Sequence, residues 1–261
     1  MNISDENEIK KEFQLERVIF FSDAVFAIII TIMILDVKLP EVERYSSDAE
    51  AKNAFLRLLP KLAGYGVSFY AVGRLWMKHL RIFSFLKDYN LQLISINLLF
   101  LFSVSLFPFA LSFFFNSAQL MQYTWGIYTY ATINYLCIFT QTMLVGYLIR
   151  NKEDLCIKTS EIETVLRWKT KRLNYIIVPI VGILMAYTMY FNMDLRTSLY
   201  VVFIPVAVFN VIKSILKKKY YPNYQNDKVT LLSLFGRKKT IYSPVHKNHK
   251  QPARISSKKT H

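Results

Sequence analysis

Six stretches of the chain are built almost wholly from Ile, Leu, Val, Phe, Tyr, Ala and Met, and polar connectors separate them. They run approximately over Val18–Val37, Leu62–Met77, Leu91–Phe115, Gln122–Ile149, Leu173–Met193 and Leu195–Ile212. A hydrocarbon core about 30 Å thick is crossed by roughly 20 apolar helical residues, which is the scale of these runs. Backbone in lipid must satisfy its own hydrogen bonds, so each run is predicted helical and the whole reads as an all-α integral membrane protein with six transmembrane helices.

The least ambiguous stretch lies between Leu91 and Ile149, where no Asp, Glu, Lys, Arg or His occurs. A water-soluble fold needs charged surface over such a length, and one span is too short to use it up. It therefore divides into two spans joined near Asn116 to Gln122. The segment from Pro40 to Leu59, rich in Glu, Ser and Asp, reads as an extramembrane loop with about one helical turn. Pro108, Pro179 and Pro205 fall inside spans and are expected to kink them without ending them, because neighbouring helices supply partners for the freed carbonyls.

Composition agrees with a bilayer as solvent: 53% of the 261 residues are hydrophobic and 15% aromatic. The formal net charge of +15 raises the question of nucleic acid. The basic residues, however, sit between and after the apolar runs and form no compact face interleaved with aromatics, so no nucleic-acid partner is expected. Their placement sets orientation instead. The connection after the fourth run holds Arg150, Lys152, Lys158, Arg167, Lys169, Lys171 and Arg172, the one after the third none, and the one after the fifth only Arg196. Short cytoplasmic connections carry the Lys/Arg excess, so both termini are expected in the cytoplasm.

The chain thus divides into a cytoplasmic N-terminal segment (1–16), a six-span domain (17–213) and a basic tail (214–261) whose composition supports no packed core. The tail reads as a positive flank with solvated residues, and as a lipid anchor only secondarily. No leading segment has the form of a cleavable signal. Cys137 lies in an apolar run and Cys156 in a charged connection, depths that do not favour a disulfide.

Chemistry at membrane depth is sparse. The ionisable residues there are Asp23, Asp36, Arg74 and His79, with Arg17 at an edge. No paired His at helical spacing, Cys cluster, phosphate loop or Ser/His/Asp set is present, so neither an enzyme nor a resident metal or cofactor is expected. His246, His249 and His261 fall in the tail and read as solvated surface. Gly64-Tyr65-Gly66 has the look of a carbonyl selectivity filter, but it runs straight into Val67-Ser68-Phe69-Tyr70-Ala71-Val72 with no preceding pore helix. Small residues permitting close helix packing is the better reading.

The first span is different. An Asp one turn inside an apolar helix is costly and must be partnered; Arg17, six positions away, points elsewhere, so other helices must supply the partners. Arg17-x-x-x-Phe21-Ser22-Asp23 resembles the R-x-x-x-F-S-D signature of the transmembrane protein 175 family of potassium channels. Trp76-x-x-His79-x-Arg81-x-Phe83 looks like that family's W-x-x-H segment, and Asn97-Leu98-Leu99 with Pro108-Phe109 like its third helix. The motifs cover about the first 115 residues; the second half carries hydropathy only.

The resemblance implies a channel without a pore loop, in which the first helix lines a central path and apolar side chains form the constriction. With one copy of the signature per chain it implies a homotetramer in the cell membrane, of the single-repeat, prokaryotic type, conducting potassium and other monovalent cations among membrane lipid. On the matching positions the constriction falls at Ile28, with Thr31, Ile32 and Leu35 near it. Ala24, Ile28, Thr31 and Leu35 are also spaced four, three and four apart, the seam that faces a bundle axis. Arg17, Phe21, Ser22, Asp23, Trp76 and His79 read as a polar network locking the first helix to its neighbours. A proton-permeable leak and a non-conducting scaffold are the competing expectations.

Overall fold

The computed structural model describes residues 3–37, 48–119 and 123–221. Among them the secondary structure is helical throughout, apart from one isolated bridge between Leu86 and Cys156. Helix α1 runs over Ile3–Ile32 and tightens into a 3-10 turn at Met33–Asp36. It is followed by α2 (Asp48–Phe83), α3 (Leu91–Ser105), α4 (Phe107–Gln119) and α5 (Tyr123–Arg150). Three single-turn helices, α6 (Lys152–Leu155), α7 (Ile162–Val165) and α8 (Trp168–Lys171), lead to α9 (Asn174–Tyr190) and α10 (Leu195–Tyr220).

Five segments are long and apolar enough to cross a membrane: Phe13–Leu35, Leu91–Asn116, Thr124–Arg150, Trp168–Tyr190 and Leu195–Tyr220. The expected second span, inside α2, is not among them. Its charge-free centre is flanked by Lys61 and Arg74, which dilute its hydropathy. One expectation needs correction. The segment up to Leu59 is not a loop with one turn, because helix begins at Asp48 and passes through Pro60 without stopping. At about 1.5 Å per residue a 36-residue helix is about 54 Å long, so α2 extends well beyond a hydrocarbon core of about 30 Å. Acidic Asp48 and Glu50 in its first turn suit the partial positive charge there.

Pro179 and Pro205 lie inside continuous helices, as the sequence reading expects. Pro108 lies inside the single span Leu91–Asn116, which is interrupted for one residue at Leu106 between α3 and α4; Pro108 stands in the first turn of α4, where its missing N–H costs nothing. α10 continues to Tyr220, and residues 222–261, most of the expected tail, lie outside the described residues.

α1 packs on α2, α3 and α4; α3 and α4 pack on α5; and the α9–α10 pair closes against α5. One core cluster gathers Phe26, Ile29 and Met33 of α1 with Val72, Phe100, Val104 and Phe107. Gly64 permits one close approach: a Cβ there would stand 2.6 Å from the Phe115 ring of α4. A second cluster joins Leu15, Ile82, Leu93, Leu148, Leu155 and Ile162 at the end where α1 starts and α2 finishes. There the α2–α3 and α5–α9 connections are knitted by backbone hydrogen bonds, Lys87 N to Leu155 O at 2.9 Å and Ile157 N to Phe85 O at 2.8 Å. Tyr89 donates its hydroxyl to Gln14 of α1, and Lys169 N donates to the Tyr221 hydroxyl beyond α10 at 3.3 Å. Gln14 of α1 thus meets the α2–α3 connection, and Tyr221 just past α10 meets the α5–α9 connection. At the opposite end α9 closes in a Schellman turn, with Asn192 at φ 47° and Met193 N donating to Thr188 O at 3.1 Å.

Asn90 starts α3. Its side chain accepts from Leu93 N at 2.8 Å and donates to the Tyr147 hydroxyl of α5 at 2.8 Å, so one residue both caps a helix and ties it to its neighbour. Asn90→Ala is expected to cost about 1–2 kcal/mol and Asn90→Asp, which keeps the cap, clearly less. Thermal unfolding of the purified protein in detergent measures both, and equal losses would remove the cap from the explanation.

Candidate functional site

Helix α1 has two faces with the same spacing. Ser22, Phe26, Ile29 and Met33 are buried, at intervals of four, three and four. Ala24, Ile28, Thr31 and Leu35, at the same intervals, are exposed, and at 100° per residue their mean direction lies roughly opposite. Ile28 is 56% exposed and Leu35 62%, whereas Ile29, next to Ile28, is 4% exposed. Ile32 also lies on the open side. Asp36 closes the 3-10 turn that ends this segment.

The buried face is pinned by a directional chain of hydrogen bonds. Ser22 Oγ donates to Val18 O at 2.9 Å, and Asn97 Nδ2 of α3 donates to Ser22 Oγ at 2.9 Å. Asn97 Oδ1 can only accept, so His79 Nε2 of α2, 2.8 Å away, carries the proton. The imidazole is enclosed by aromatic rings: Phe83 stacks at 4.1 Å, Phe100 at 5.6 Å, and Phe26 lies tilted at 5.7 Å. His79 is 1% exposed and Ser22 is fully buried. Buried polar groups so enclosed stay only where each finds a partner, and this chain joins α1, α2 and α3.

Asp23, half-exposed beside the chain, accepts from Trp76 Nε1 at 2.8 Å. The structure therefore brings together Ser22, Asp23, Trp76 and His79 in two adjoining links. It leaves Arg17 and Phe21 outside them. Both are exposed, and Arg17 makes no hydrogen bond or ion pair to the described residues; they line a groove of about 400 Å³ with Gln14, Tyr89 and Leu98. Asn97 is the member that sequence reasoning missed as a hub. Its signal was available: it lies in a charge-free run as an amide in need of partners, while His79 lay unpartnered on another helix.

Thr31 sits on the open face. Its hydroxyl donates back to the carbonyls of Ala27 and Ile28 at 3.0 and 2.9 Å, which turns its lone pairs away from the helix.

A family model described as the endosomal/lysosomal potassium channel TMEM175 matches residues 17–108, the segment that contains both links. Over those residues the chain is similar to the TMEM175 family. A potassium channel of Streptomyces collinus is 39% identical over 92 residues, 35% of this chain and 43% of that one. A potassium channel of a Chryseobacterium species is 38% identical over 109 residues, 41% of this chain and 53% of that one. The chain thus spans about half the length of the curated relatives it matches. The crystal structure of a lysosomal potassium-selective channel TMEM175 homolog from Chamaesiphon minutus shares the fold, with a TM-score of 0.57 at 22% identity over 77% of this chain and 98% of that one. The relatives named above are bacterial, and the family whose model matches is one of ion channels and not of enzymes.

Removing Asn97 strands the His79 Nε2 proton, at about 1–3 kcal/mol for an unsatisfied buried group, and takes from Ser22 Oγ the bond it accepts, leaving only its bond to Val18 O. Asn97→Leu is expected to lower the thermal midpoint well below that of Trp76→Phe, whose link is partly exposed. Adding His79→Phe and Ser22→Ala to Asn97→Leu is expected to recover most of the loss, because polar partners replaced together leave nothing unpaired. A triple variant no more stable than Asn97→Leu would show that the three residues do not act as one chain.

Proposed function

We propose that the chain is one subunit of a homotetrameric, potassium-preferring cation channel whose path is lined by α1. One observation carries this reading: the seam of Ala24, Ile28, Thr31 and Leu35 is open on a helix whose opposite face is held by the Ser22–Asn97–His79 chain. One such helix cannot enclose a path, and four copies of the seam around an axis can. The names of the relatives support the ion. In this reading α2 supplies the sixth span, its charge-free centre packed on α1 and α4.

Ile28 forms the narrowest ring, with Ile32 and Leu35 continuing the apolar wall. A ring of branched apolar side chains resists wetting, so an ion enters with few waters. Thr31, whose hydroxyl proton is held by its own helix, offers oxygen lone pairs to that ion. Without a carbonyl cage, discrimination rests on dehydration, which potassium tolerates at lower cost than sodium. The membrane is the cell membrane and both termini face the cytoplasm. Support comes from the basic α5–α9 connection, which packs at the end where α1 starts and α10 ends.

Purified protein sealed into vesicles is expected to have the mass of four chains and to release potassium faster than sodium. Flux of protons alone, or no flux, would overturn the reading, as would conduction by a monomer or dimer. Ile28→Asn keeps nearly the side-chain volume and brings amide oxygen and water; current is expected to rise severalfold and the potassium preference to fall. Ile183→Asn, on the 68% exposed position of α9, is the control, since Ile29 is a core residue whose replacement would damage the fold. A change with Ile183→Asn and none with Ile28→Asn would place the path elsewhere.

Sidedness is read by thiol labelling from outside intact cells. The native thiols are quiet: Cys137 is fully buried, Cys156 is 2% exposed, and burial pushes the Cys156 thiol up to about 11. Thr197→Cys, at the start of α10, is expected to react and Ser160→Cys, in the basic connection, to stay unmodified. The reverse pattern would invert the orientation.

A further inference from the structure

Away from α1, an apolar cleft of about 410 Å³ opens between α2, α5, α9 and α10. Two of its walls share one design. On α10, Val202, Val206, Phe209 and Lys213 follow at intervals of four, three and four, and all line the cleft. On α2, Val67 and Ala71 line it, and the same stripe continues through Arg74, Lys78 and Arg81 at intervals of three, four and three. Both stripes turn from apolar to basic towards the C-terminal end of their helix. The two basic ends meet: the charges of Arg74 and Lys213 act on Lys78, and those of Lys78, Arg81 and Arg167 act on Lys171 of α8.

Like charges gathered at the mouth of a cleft repel one another unless an anion joins them. No carboxylate of the described residues is among the charges that act on Lys78, Lys171 or Lys213. Lys213 is also placed and not loose. It donates to Asn174 Oδ1, Asn174 Nδ2 donates to Thr142 Oγ1 at 2.8 Å, and Thr142 Oγ1 donates to Ile138 O at 2.7 Å. An ammonium has three donors, and this chain uses one.

We propose that the cleft is a binding site for an anionic phospholipid of the leaflet at its basic end. One acyl chain lies along Val67, Ala71, Val206 and Phe209, and the phosphate meets Lys213 and Lys78 with Lys171 behind them. The apolar wall excludes a free anion as the preferred occupant, because a soluble phosphate leaves that wall uncovered. The cationic mouth disfavours a lipid without net charge. The site is independent of the conduction assigned to α1.

The test is titration of lipid onto the purified full-length protein in detergent, read by native mass spectrometry and by thermal shift. Dioleoylphosphatidylglycerol is expected to bind at least about fivefold more tightly than dioleoylphosphatidylcholine. Lys213→Ala and Lys78→Ala are each expected to lower the phosphatidylglycerol affinity about fivefold, and Lys213→Arg to retain it. Val206→Trp, which fills the cleft and leaves the charge unchanged, is expected to abolish it. Lys218→Ala, exposed on the same helix, should leave it as in the parent. Lys78 is exposed, so its variant folds even where Lys213→Ala does not. Equal affinity for the two lipids, an unchanged affinity in Lys78→Ala or Val206→Trp, or the same thermal shift from inorganic phosphate alone would each overturn the proposal.

Discussion

The hydrogen bonds that run from His79 through Asn97 to Ser22 and the Val18 carbonyl decide which way α1 faces, and much of the molecule follows from that. Helices in lipid gain little from apolar contact, since acyl chains are as apolar as Leu. Rotation of α1 about its axis would therefore be weakly opposed by Phe26, Ile29 and Met33 alone. It is strongly opposed by a buried hydroxyl whose partner lies on α3, because turning away leaves Ser22, Asn97 and His79 with unmade bonds in a low-dielectric interior. The aromatic enclosure of His79 excludes the water that would otherwise offer a substitute.

The same solution appears a second time in the other half of the bundle. A nitrogen donor, Lys213 in place of His79, meets an Asn carbonyl oxygen; the Asn amide meets a hydroxyl, Thr142 in place of Ser22; and the hydroxyl returns its proton to the carbonyl four residues earlier. Asn suits the central position because it accepts on one side and donates on the other, so it joins a donor to a hydroxyl without a net charge. Each chain links three helices, α2 to α3 to α1 in one case and α10 to α9 to α5 in the other. The first ends in a neutral, enclosed ring, and the second ends in a cation at the mouth of a cleft.

Much of the architecture was legible because lipid leaves the backbone few options. The apolar runs, the absence of charge from Leu91 to Ile149 and the demand that Asp23 find a partner on another helix could all be read from composition and spacing. Trp76 as that partner could be named only through the resemblance, since 53 positions separate the two residues. The N-terminal third of α2 was hidden by its own polarity: Asp48 to Leu59 looks like a loop because most of it was judged by hydropathy, and helices outside the membrane have no need of it. The three single-turn helices between α5 and α9 were hidden for a related reason. Their Leu155, Ile162 and Leu166 are too widely spaced to show a period, and they bury against residues of α1, α2 and α3. Arg17 was grouped with the network on motif alone, and among the described residues it lines a groove that Phe21 and Asn97 also line.

Periodicity has a further limit that α1 makes plain. The set Ser22, Phe26, Ile29 and Met33 and the set Ala24, Ile28, Thr31 and Leu35 have identical spacing, so a search for a seam finds both and prefers neither. Polarity does not separate them either, since each contains one hydroxyl. What separates them is where each hydroxyl finds its partners. Ser22 accepts from Asn97 on another helix, so its face must be internal to the subunit. Thr31 bonds only to carbonyls of its own helix, so its face makes no claim on the rest of the chain. The face that the subunit does not need is the one that the proposed channel turns towards its path.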